Sequence, residues 1–113
     1  MKGFLLAGLL ALAATPALAH SGLDATAPMN GAVLEEAPPH IVLTFAKHTR
    51  LTRVRMAHGD NQAVDVDLGD QTSFATRFVV PLTDMGSGLY RIELRGLSSD
   101  GHPVRNAFTF RVQ

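Results

Sequence analysis

Apolar and polar residues alternate with period two along most of this chain. In Ile41-Val42-Leu43-Thr44-Phe45 the odd positions are large and apolar, and in Leu51 to Met56, Val54 and Met56 alternate with Arg53 and Arg55. Ser73 to Val80 sets Phe74, Phe78 and Val80 on one face and Ser73 and Arg77 on the other. Tyr90-Arg91-Ile92-Glu93-Leu94-Arg95 and Phe108-Thr109-Phe110-Arg111 continue the pattern. Side chains of successive strand residues leave opposite faces, so this alternation predicts strands with one buried and one wet face.

Turn formers separate the runs. Met29-Asn30-Gly31, Pro38-Pro39, His58-Gly59-Asp60-Asn61, Leu68-Gly69-Asp70, Met85-Gly86-Ser87-Gly88 and Ser99-Asp100-Gly101 all carry residues that tolerate tight or left-handed backbone. No segment after residue 20 has a 3.6-residue apolar period. The expected fold is all-β: one antiparallel sandwich, immunoglobulin-like or of related Greek-key type, with about seven short strands. The order of those strands is left open.

The start of the chain is built differently. Lys2 supplies a positive charge, an apolar run extends from Phe4 to Ala14, and Ala17-Leu18-Ala19 places small residues at both specificity positions of an A-x-A site. The run falls short of the roughly 20 residues a bilayer-spanning helix needs. A buried N-terminal helix is the competing reading, and the three-part pattern favours export. Residues 1–19 are therefore expected to be a signal peptide cleaved after Ala19, leaving 20–113 as a single domain in the periplasm with no membrane span.

Composition narrows the chemistry. The chain has no cysteine, which excludes disulfides, thiolate ligands and thiol catalysis in an exported protein. Ten basic and ten acidic residues, interspersed in sequence, give no basic stripe for nucleic acid. There is no G-x-S-x-G, H-E-x-x-H or glycine-rich phosphate loop. Asp65 and Asp67 share a strand face with no evident partner.

Two of the five histidines stand out. Cleavage after Ala19 makes His20 the first residue, and its free amine and ring Nδ1 together form a chelator. His102 lies in Ser98-Ser99-Asp100-Gly101-His102-Pro103, where Asp100 and His102 share a face if the segment is extended. Pro103 restrains the backbone that follows. His20, Asp100 and His102 would supply three nitrogens and one oxygen, a set that suits Cu(II). Taken alone, Asp100-Gly101-His102 is most often just a β-turn. His40 and His58 read as solvated surface residues. His48, just after a strand, is a weaker candidate for reaching a site. Met29, Met56 and Met85 are too dispersed for a thioether Cu(I) site, with Met56 expected in the core and the others in loops.

The A-x-A site followed by His20, the block Ala27-Pro28-Met29-Asn30-Gly31-Ala32, the inner runs Ala37 to Phe45 and Gly88 to Ile92, and Ser98-Ser99-Asp100-Gly101-His102-Pro103-Val104 with Phe108-Thr109-Phe110 together resemble the CopC family of periplasmic copper-binding proteins. The resemblance implies a β-sandwich that binds one Cu(II) through a brace of the His20 amine and ring, completed by Asp100 and His102. It also implies a carrier or sequestration role in copper resistance rather than catalysis, with an inner-membrane copper transport protein as a receiving partner. One departure bears on the site. Where some members have an acidic residue near the copper, this chain has Phe45-Ala46-Lys47. Two other functional classes compete: a metal-free β-sandwich interaction module, and a histidine-brace oxygenase. The second is disfavoured by a single Tyr and no Trp to form an aromatic platform.

Overall fold

The computed structural model describes residues 22–113, all of whose regular structure is β. Seven strands follow in order: β1 (Leu23–Ala27), β2 (Ala32–Leu34), β3 (His40–His58), β4 (Val64–Asp65), β5 (Ala75–Pro81), β6 (Gly88–Ser98) and β7 (Pro103–Val112). Residues 1–19 and His20 lie outside the described residues. Among the described residues no helix is long and apolar enough to cross a membrane.

The two runs read as separate strands, around Ile41–Phe45 and Leu51–Met56, form one 19-residue strand. Its first half pairs with β1 and β5, and its second half with β6 and β4. The hydrogen-bonded order is β1-β3-β6-β7-β2, with β4 and β5 also on β3. β3 thus takes part in both layers of the sandwich. The pairings are antiparallel except β2 with β7, which run parallel, Ala32 facing Phe110 and Leu34 facing Val112. The expected all-antiparallel arrangement is corrected at that edge.

The alternation worked because the core takes every second residue from the strands it predicted. Ile41, Leu43 and Phe45 from the first half of β3 meet Phe78 and Val80 of β5, and Phe45 packs edge-on against Phe78 at 5.9 Å. Leu51, Val54 and Met56, Tyr90, Ile92 and Leu94, and Val104, Phe108, Phe110 and Val112 complete one cluster. Burying each large side chain of this kind contributes about 1.5–3 kcal/mol. Tyr90 is fully buried, stacked on Phe110 at 5.0 Å; its hydroxyl donates to Gly86 O and accepts from Met85 N. That satisfies the polar end of a core side chain.

Three expectations change. Phe74 precedes β5 and is exposed, because regular pairing on β3 ends at its bend. Asp65 does have partners: Arg53 at 2.9 Å and Arg55 at 3.8 Å. His58 is no free surface residue, since its Nε2 lies 2.7 Å from Ser87 O and its ring packs on Tyr90. Met56 is buried and Met29 and Met85 are exposed, as expected.

The alternation in β3 is interrupted at Ala46-Lys47-His48, three consecutive exposed positions, and resumes in the same phase at buried Thr49 and Leu51. Thr49 Oγ1 donates to Lys47 O at 2.9 Å, so the bend carries its own polar closure. Opposite Leu51, just beyond it, β6 places Gly96, where a Cβ would stand 2.7 Å from Arg50 O and 3.2 Å from the Thr49 side chain. The bent strand and β6 approach too closely there for any larger residue. Gly96→Ala should destabilise the fold by about 1–3 kcal/mol through overpacking, read as a lower urea midpoint. A midpoint equal to wild type would show that the close approach relaxes freely.

Candidate metal centre

The β6–β7 connection is a tight turn. Ser98 N donates to His102 O at 2.8 Å and Gly101 N to Ser98 O at 2.9 Å, with Gly101 in the left-handed region at φ 90°. Aspartate and glycine are favoured in such turns for these reasons. Asp100 and His102 therefore come together through a turn, and not through the extended alternation expected from their spacing. The outcome is closer contact. Asp100 Oδ1 accepts from His102 N at 3.2 Å and lies 3.1 Å from His102 Nδ1.

The other carboxylate oxygen is also occupied. Lys47 Nζ donates to Asp100 Oδ2 at 3.0 Å. The β3 bend directs Lys47 to this turn, and Ser99 N donates to His48 O at 2.8 Å to tie the two segments together. His48 contributes its carbonyl to this junction, while its side chain is exposed. With Oδ1 facing Nδ1, the imidazole keeps Nε2 as its free ring nitrogen, the arrangement in which an acidic partner orients a histidine ligand.

The Lys47 hydrogen bond, then the ring and backbone of His102 and the Ser98 side chain, hold the Asp100 carboxyl well below the usual carboxylate range. Asp100 is thus a ready anionic donor whose charge is met by an ammonium. Gly22, Ala46, Lys47, Asp100, His102 and Val104 line one open groove of about 520 Å³. Gly22 is anchored there, its carbonyl accepting from Ala46 N at 3.0 Å.

Among the described residues, no three His, Cys, Asp or Glu side chains gather at one point. Asp100 and His102 are a pair of donors, and His20 lies outside the described residues. Sequence reasoning had both donors from the S-x-D-G-H-P block. It had Lys47 only as a departure, and the register of β3 shows where that cation goes.

A family model described as "CopC domain" matches residues 23–113. The chain belongs to the CopC domain family. A curated relative, copper resistance protein C of Escherichia coli, is 27% identical over 99% of this chain and 96% of that protein. The crystal structure of CopC from Methylosinus trichosporium OB3b superimposes with a TM-score of 0.67 at 20% identity, covering 83% of this chain and 94% of that one. PcoC, a methionine-rich copper resistance protein from Escherichia coli, superimposes with a TM-score of 0.59 at 23% identity, over 83% and 99%. At these identities the structural likeness shows the sandwich. Unlike a methionine-rich relative, this CopC domain has Met29, Met56 and Met85 on separate elements, with Met56 in the core.

Folding that holds the Asp100 carboxyl low stabilises the CopC domain above the ordinary value of 3.8, and this contribution fades as acid protonates the group. Lys47→Met should move Asp100's titration up toward 3.8, followed by its carboxyl carbon in NMR. A titration unchanged by the substitution would remove Lys47 as the cause.

Proposed function

We propose that export removes residues 1–19 and that the mature protein, starting at His20, carries one Cu(II) ion in the periplasm. His20 would contribute its amine and ring nitrogen, Asp100 a carboxylate oxygen and His102 a ring nitrogen. Copper is cargo here. The protein acts as a carrier in copper resistance that passes the ion to an inner-membrane copper transport protein.

One observation carries the reading: the Asp100–His102 pair shares its groove with Gly22, two residues after His20. Consecutive Cα atoms are about 3.8 Å apart, so the first residue of the mature chain lies within about 8 Å of a groove-lining residue. The groove already holds two donors of the required types. An amine, imidazoles and a carboxylate without sulfur form a set preferred by Cu(II), which also heads the divalent affinity order. The names of the relatives as copper resistance proteins support the same cargo.

Lys47 acts as a competitor in this site. Its ammonium holds Asp100 Oδ2, the oxygen left after Oδ1 is engaged by His102. Copper takes that oxygen by displacing one cation with another, and then lies beside the displaced ammonium. Both effects lower affinity without loosening the turn.

Isothermal titration of protein shown by mass to begin at His20 should give one Cu(II) per chain. Adding one residue ahead of His20 should weaken binding by at least about tenfold, because the amine is converted to an amide and moved away. Equal affinity in the extended protein would reject the brace. If Cu(II) also leaves the melting temperature unchanged, the domain is a metal-free module, since saturation at about 100 times Kd should add about 2.7 kcal/mol.

Lys47→Met should tighten Cu(II) binding by roughly two- to fivefold, the scale of an exposed ion pair relieved near the ion. Weaker binding in that variant would show Lys47 supporting the site rather than competing in it.

A further inference from the structure

The outward face of β3, β6 and β7 carries a second, unrelated feature. There, Arg53 stands opposite Arg95, and Arg95 opposite Arg105. One residue pair further along, Arg55 is opposite Glu93, and beyond it Ala57 is opposite Arg91. These five arginines line one open concavity of about 310 Å³, together with Glu93 and Asn106. Five of the chain's ten basic residues line this concavity, although the whole sequence is neutral.

Only part of that charge is matched. Asp65 serves Arg53 and Arg55, and Arg91 pairs with Glu93 at 3.2 Å. Among the described residues, Arg95 and Arg105 have no side-chain partner, yet they are direct cross-strand neighbours. Like charges facing each other across a sheet destabilise it. The row works against the fold that displays it, so the fold does not account for it. Arg55 points the same way: its Nε is buried without a hydrogen bond.

We propose that this face docks an acidic segment of a partner protein, with Arg95 and Arg105 taking its carboxylates as paired forks. Guanidinium groups match carboxylates bidentately. Neighbouring strands are about 4.8 Å apart, so the three-arginine row spans roughly 10 Å, more than one small anion bridges and well suited to successive carboxylates on a chain. The concavity takes a protruding segment, whereas a flat bilayer meets only its rim. No exposed aromatic or large aliphatic side chain lines it for insertion into lipid. Glu93 and Asp65, interleaved with the arginines, would repel a phosphate sheet and can pair with a basic residue beside the partner's acids. Arg95 lies three residues before Ser98, roughly 10 Å along β6 from the turn that holds Asp100 and His102. A segment docked here brings its protein alongside that turn.

The test uses copper-free mature protein and a fluorescein-labelled oligoglutamate peptide, read by anisotropy at low salt. The Arg95→Gln/Arg105→Gln variant should bind at least tenfold more weakly than wild type. Arg77→Glu on β5, which lowers the net charge by the same two units away from this face, should change binding less than twofold. The first variant should also melt no lower than wild type and keep its Cu(II) stoichiometry, which separates this proposal from the copper reading. Equal weakening in both variants would overturn it in favour of net charge. Tighter binding to phosphatidylglycerol vesicles than to the peptide, lost with Arg95 and Arg105, would overturn it in favour of lipid. Absence of peptide binding by wild type would also reject it.

Discussion

Everything in this fold is hung on β3 and on the place where it bends. A single strand supplies Ile41, Leu43 and Phe45 to one layer and Val54 and Met56 to the other, so the two layers cannot separate without breaking it. A continuous strand that feeds both layers must change direction: its alternation breaks off at Ala46-Lys47-His48, and the inward and outward phases are exchanged further on, at Thr52-Arg53, between buried Leu51 and buried Val54. The bend is closed by Thr49 Oγ1 on Lys47 O and held against β6 by the missing side chain of Gly96. The interruption also decides the chemistry of the groove, because Lys47, which stands between buried Phe45 and buried Thr49 and would point inward in an unbroken strand, is turned outward there and reaches Asp100.

The turn Ser98–Pro103 is the second half of the same construction. Its backbone is closed by Ser98 and His102, and Ser99 N docks it on His48 O. The two donors are therefore held by backbone hydrogen bonds that do not involve a metal. Such a site needs little reorganisation on loading, which favours both uptake and release. The proposed third donor is the opposite in kind. On the proposed reading a chain start would contribute a strong chelating pair, but only after cleavage, and the described chain enters this groove at Gly22, whose carbonyl accepts from Ala46 N. One half of the proposed site belongs to the sandwich, and the other to processing.

Period-two alternation made most of the strands and the core legible, since a half-buried strand has no other way to satisfy both faces. What escaped it were positions where pairing, and not composition, decides. The continuity of β3 was hidden by Ala46-Lys47-His48, which breaks the alternation with three exposed positions inside a paired strand. Phe74 matched the core phase of β5 and still lies outside, because the pairing with β3 shifts register beyond Thr44. The parallel β2–β7 edge left no mark on local sequence. At the site, Asp100 and His102 were legible from a short motif whose chemistry needs both residues close together. Their contact came from Gly101 turning the chain, a geometry the extended reading of D-x-H had wrong. The arginine row was invisible for a related reason: its members are interspersed with acids along the chain and become neighbours only through strand register.

The Lys47–Asp100 pair gives the copper-free state a definite character. A carboxylate held low and left without a cation would present a bare charge to the groove; here an ammonium 3.0 Å away already fills that role. On the proposed reading, loading the site is a cation exchange, with Lys47 returning when the ion leaves. A dedicated sink would gain from an acidic residue at this position, because added negative charge deepens binding. A carrier has a different requirement, since an ion bound too tightly cannot be handed on. An internal competitor fixed to the same bend meets that requirement locally. On the proposed reading it would lower the affinity of the loaded state, and its hydrogen bond holds Asp100 when the site is empty, without altering the turn that the rest of the sandwich depends on.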